Sequence, residues 1–91
     1  MTLNFPNNSR AYIPSKACVR FWGHDTTIEV TLEVSTEVLK FLVPKIDNSE
    51  IALLGAFDEH HTTIKNVGKI KHNALRKTFI QLVRGDFKSD I

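Results

Sequence analysis

The chain has 91 residues, 42% of them hydrophobic, with twelve Lys or Arg against ten Asp or Glu for a formal charge of +2. That length allows one core and no second domain, and a single cysteine, Cys18, excludes an intramolecular disulfide. The apolar runs are far shorter than the roughly 18 residues that span a bilayer, so no membrane-crossing helix is expected.

A domain this size buries little more than about 60% of its unfolded surface, so its stability is modest and a partner or second copy is a natural source of further burial. Charge is unevenly placed. Residues 1–60 carry five basic and eight acidic side chains, and residues 61–91 carry seven and two. The N-terminus has neither a charged leader nor a small-residue cleavage site, which together with the unpaired Cys18 predicts a cytoplasmic protein.

In chain order, residues 1–16 mix Asn, Pro and Ser with isolated apolar residues such as Phe5, Tyr12 and Ile13 and read as a loop-like arm, with a further strand as an option near Tyr12. Residues 17–91 form the core of the single domain. From Ala17 to Trp22, alternation sets Val19 and Phe21 against Cys18, Arg20 and Trp22, the pattern of a strand with one buried face. Gly23 to Thr26 read as the turn of a hairpin. The second strand is the clearest signal: Ile28, Val30, Leu32 and Val34 alternate with Glu29, Thr31, Glu33 and Ser35.

Ser35 or Thr36 then caps a short helix through Leu42, ended by Pro44. A second helix is predicted from Glu50 to about Lys71, capped by Asp47, Asn48 or Ser49, with Leu53, Leu54, Phe57, Ile64, Val67 and Gly68 in one sector. Its acids come early and its lysines late, as the helix dipole favours, which accounts for much of the charge asymmetry. The last strand, Thr78 to Arg84, is apolar on both faces and wants cover on both. The expected fold is therefore α+β, with a small, mainly antiparallel sheet of three to four strands, two helices on one face, and the order β-β-α-α-β.

Phe5-Pro6-Asn7 with Ser9-Arg10, then Val19 to Asp25, then Ala56-Phe57-Asp58 form a set that resembles the bacterial family known as domain of unknown function fourteen-eighty-eight. The likeness is most specific from Val19 to Asp25 and loosest in the C-terminal third. It implies a small stand-alone bacterial protein and carries no activity and no catalytic residues.

The residues themselves offer three readings from different classes. In the first, the sheet face away from the helices carries Arg20, Trp22, Glu29, Thr31 and Glu33, joined by Phe79 and Val83 or by Ile80 and Leu82 from the last strand. A tryptophan and large apolars rimmed by charge describe an interaction face for a partner or a second copy, unless the N-terminal arm folds over it. In the second, Lys65, Lys69, Lys71, Arg76, Lys77 and Arg84 contact nucleic acid, provided they cluster. Aromatic residues interleaved with these lysines, which stacking on bases would use, are lacking.

In the third, His61 with Asp58 one turn earlier, plus His24 or Asp25 supplied by the fold, hold a metal. Border histidines on an amphipathic helix more often pack at the core edge, so no metal and no cofactor are expected. His72 needs no role beyond its place near a helix C-terminus. No serine, threonine or cysteine stands in a pattern with a base, and the four glycines form no phosphate-binding loop, so nothing argues for catalysis. The interaction face built on Arg20, Trp22, Phe79 and Val83 is the reading the sequence favours.

Overall fold

The computed structural model describes residues 3–87 and arranges them in five strands and three helices. In chain order these are β1 (Leu3–Asn4), β2 (Arg10–Ile13), β3 (Cys18–Asp25), β4 (Ile28–Ser35), α1 (Thr36–Leu42), α2 (Glu50–Glu59), α3 (His61–Leu75) and β5 (Phe79–Leu82). Single turns of 3-10 helix, Pro14–Lys16 and Arg84–Phe87, follow β2 and β5. The fold is α+β.

β3 and β4 pair antiparallel along their whole length, from Cys18 opposite Ser35 to Asp25 opposite Ile28. Their turn is only Thr26 and Thr27, so Gly23, His24 and Asp25, expected in the turn, are strand residues. The glycine serves another purpose. A Cβ on Gly23 would stand 2.8 Å from the carbonyl oxygen of Asn4 and 3.0 Å from side-chain carbons of Leu3 and Phe5, so its absence lets β1 lie against β3. The turn instead places Thr26 in the left-handed region, at φ 62°, a conformation that a β-branched side chain resists.

The N-terminal segment is not a loop-like arm. β1 and β2 both pair antiparallel with the outer edge of β3, Leu3 opposite Asp25 and Tyr12 opposite Val19, which includes the strand anticipated near Tyr12. Phe5 and Tyr12 pack against the core on the helix side. On the other edge β5 runs parallel to β4, Leu32 opposite Ile80 and Val34 opposite Leu82. A parallel neighbour needs a long crossover, and the three helices supply it. β5 is shorter than expected and covered on one face only, with Ile80 and Leu82 buried and Phe79 exposed.

Ser35 caps α1 by accepting a hydrogen bond from Val38 N–H, and Ser49 caps α2 by accepting from Ala52 N–H. The single helix expected from Glu50 to Lys71 is two, broken at His60 and continued to Leu75. One unbroken helix over those residues would be roughly 39 Å long at 1.5 Å per residue. The molecule's longest dimension is 37 Å. A break lets both pieces keep their apolar sectors over the sheet, and Leu53, Ala56 and Phe57 of α2 join Ile64 and Gly68 of α3 in burial.

The core lies between this helical layer and one face of the sheet, built by Val19, Phe21, Val30, Leu32 and Val34 beneath Val38, Leu39, Phe57 and Ile64. The Phe21 ring meets Phe57 at 5.0 Å and Phe5 at 5.8 Å between centroids. One polar pair is sealed on the same side. His72 of α3 sits 3.0 Å through Nε2 from Asp25 Oδ2 and 3.1 Å through Nδ1 from the Lys77 carbonyl, and both side chains are under 10% exposed. Both ring nitrogens thus face oxygen acceptors. His72 is thus a tie between α3 and the β3–β4 turn. Among the described residues, no helix is long and apolar enough to cross a membrane.

Candidate functional site

Strand alternation sends every second residue of the sheet away from the helices. The register stacks these residues in rows across the strands: Ala11, Arg20, Glu33 and Gln81 in the central row, and Trp22, Thr31 and Phe79 in a flanking one. On the other flank lie Ile13, Cys18 and Ser35, and Val83 follows β5 in the same alternation. No helix covers this face. Phe79 and Val83 are 44% and 48% exposed, and Trp22 is half-buried. Of the two pairs that β5 offers, the open face receives Phe79 and Val83, while Ile80 and Leu82 go to the core.

The center of the face is charged, yet it is already satisfied. Arg20 donates to Glu33 Oε2 from Nε at 2.9 Å and from Nη2 at 2.6 Å, and the Lys16 ammonium stands 3.6 Å from the same oxygen. Glu33 is only 3% exposed. Burial pushes its carboxyl up, but hydrogen bonds from Arg20 and Gln81 and the charges of Lys16 and Arg20 outweigh that and hold it below the ordinary glutamate value. Lys16 also lies 5.5 Å over the Phe79 ring. Beside them a hollow of about 310 Å³ is lined by Lys16, Cys18, Glu33, Gln81 and Val83. Burial, then the nearby Glu33 charge, raises the Cys18 thiol, which leaves it protonated and a poor nucleophile.

The other expected residues are dispersed. His24 lies on the open face opposite Glu29 and Asn4, while Asp58 and His61 line a cleft on the helix side, so the structure does not assemble that metal set. Both Asp58 oxygens are taken by Arg10, at 2.7 and 2.8 Å. Among the described residues, no group of three or more His, Cys, Asp or Glu is placed to hold a metal ion. Of the basic residues, Lys65 donates to Asn8, Lys71 to Asp86 and the Gln81 carbonyl, and Arg84 covers the Phe41 ring at 3.5 Å. Lys69, Arg76 and Lys77 have no ion-pair partner among the described residues.

Sequence reasoning placed Arg20, Trp22, Glu33, Phe79 and Val83 on this face but did not foresee that Arg20 and Glu33 pair, and it passed over Lys16. The missing signal was the hairpin register. A two-residue turn at Thr26 and Thr27 sets Arg20 opposite Glu33, and the pair follows from it.

These features define a small α+β domain whose sheet keeps one face open, with an internally neutralised center and an apolar margin. The chain belongs to the family described as Protein of unknown function (DUF1488), whose model matches residues 3–76. A crystal structure of a protein of unknown function from the same family, from Shewanella loihica PV-4, has the same fold with a TM-score of 0.69. It is 21% identical, and the match covers 88% of this chain and 90% of that one. No curated protein matches the sequence.

Proposed function

We propose that this chain is a bacterial, cytoplasmic protein-binding module that associates with a second copy of itself through the open sheet face. The observation that carries the reading is the juxtaposition of Trp22, Phe79 and Val83 with an Arg20–Glu33 pair whose charges are already matched. Covering a face costs little when its central carboxylate is desolvated beforehand, and apolar side chains left in water gain by being covered.

A second copy suits the face because Lys16 and Arg20 balance Glu29 and Glu33, so two such faces do not repel one another, as an isologous two-fold contact requires. Strands about 4.8 Å apart and about 20 Å long offer roughly 400 Å² in projection. That is the small end of protein interfaces, where weak, transient association is the rule.

Sedimentation equilibrium between about 1 and 200 μM tests this. The expected result is a monomer–dimer equilibrium that Trp22→Ala weakens about tenfold or more while the monomer's unfolding midpoint stays near that of the parent. A monomer throughout that range, or a dimer indifferent to the substitution, overturns the reading.

A further inference from the structure

On the helix side, a cleft of about 420 Å³ opens between the N-terminal segment and the junction of α2 and α3, lined by Arg10, Phe57, Asp58, His61 and Lys65. A neighbouring hollow shares His61 and Lys65 with it and adds Phe5 and Lys69. His61, Lys65 and Lys69 are four residues apart along α3, so they form one ridge on the rim of this double cleft. The one carboxylate in the lining, Asp58, has both oxygens held by Arg10, and that pair is internally neutral.

Neither lysine has a carboxylate partner among the described residues. Lys65 makes do with a neutral acceptor, Asn8 Oδ1 at 3.2 Å, and with the Phe5 ring, 5.3 Å from its ammonium. Two ammonium groups one turn apart repel each other until a dianion comes between them.

We infer that this cleft binds a phosphate-bearing small molecule. The phosphate lies between Lys65 and Lys69, with Lys65 exchanging its neutral contact to Asn8 for a charge-assisted one. The rest of the molecule lies against the half-exposed Phe5 ring. The volume is within the range of small-molecule sites. A nucleic-acid strand fits less well, because Lys71 and Arg84 are engaged elsewhere, with Asp86 and Phe41, and do not extend the ridge.

Isothermal titration calorimetry of the whole chain with AMP, and separately with inorganic phosphate, at matched ionic strength tests the inference. Expected is saturable one-to-one binding by at least one probe with a dissociation constant of about 1 mM or lower, weakened about tenfold by Lys65→Ala or Lys69→Ala. Lys77→Ala removes the same charge outside the cleft and leaves binding unchanged. Circular dichroism of each variant separates lost binding from lost structure. No saturable heat with either probe up to about 10 mM, or equal weakening by Lys77→Ala, overturns it. The open-face reading stands or falls separately, since neither lysine lies on that face.

Discussion

Two acid–base pairs sit on opposite faces of the β3–β4 hairpin, and they differ in what closes them off. Asp25 and His72 are sealed beneath α3, with side-chain exposures of 9% and 7%. Glu33 is at least as deeply buried, at 3%, but its partner Arg20 keeps 29% of its side chain in water. The helix-side pair ties α3 to the end of β3, so it serves the fold. In the open one the carboxylate is desolvated by flexible side chains, and a second surface can complete the cover.

Removing one partner should therefore cost most on the helix side. His72→Ala empties a buried site and removes the hydrogen bond to Asp25, and the larger loss is expected in urea unfolding. Arg20→Ala leaves Lys16 beside Glu33 and water within reach, and about 1 kcal/mol is expected. Equal losses would erase the distinction between the two faces.

The seal can be attacked without touching either pair. Leu3 lies opposite Asp25 in the sheet and is 1% exposed, and β1 is held there by the close approach at Gly23. Gly23→Ala drives a methyl group into the Asn4 backbone, and a cost of about 2 kcal/mol is expected, with faster amide exchange in β1. In Gly68→Ala the added Cβ meets only the end of the Leu32 side chain, at 2.8 Å, and the gain in helix propensity offsets part of the strain. It should be the milder of the two.

Acid gives the smallest and most graded test. The hydrogen bond from His72 holds Asp25 below the ordinary aspartate value against the opposing effect of burial, and Glu33 is depressed as well. With folded values below the unfolded ones, the unfolded chain binds more protons, so stability rises with pH through that window. These contributions are complete above the unfolded values, near pH 4, and are lost as pH falls through the folded ones. Thermal midpoints from pH 7 to 3 should fall only toward the acid end, and Glu33→Gln or Asp25→Asn should each flatten that fall. An unchanged acid limb in both variants would mean that neither carboxylate is held ionised by its partner.

How much of this was legible in advance depended on the range of the interaction. Alternation along Ala17 to Trp22 and Ile28 to Ser35 named the two long strands and their faces, and Ser35 or Thr36 and the run Asp47 to Ser49 bracketed the starts of α1 and α2, because side-chain period and capping are set within a few residues. The open-face residues followed from the same period. Gly23 misled, since a glycine between two strands reads as a turn, whereas here it makes room for a strand 19 residues earlier in the chain.

The sequence by itself determined the α+β class, the hairpin and which residues of its two strands face away from the core, since each is a local matter of periodicity and backbone preference. Only the tertiary structure decided that the N-terminal segment adds strands at the edge of β3, that β5 lies parallel beside β4, and that the predicted long helix breaks at His60. It also decided that His72 meets Asp25 across 47 positions and that Arg10 meets Asp58 across 48. Such meetings depend on which surfaces are left to be covered once the hairpin and helices have formed, and that remainder has no local signature.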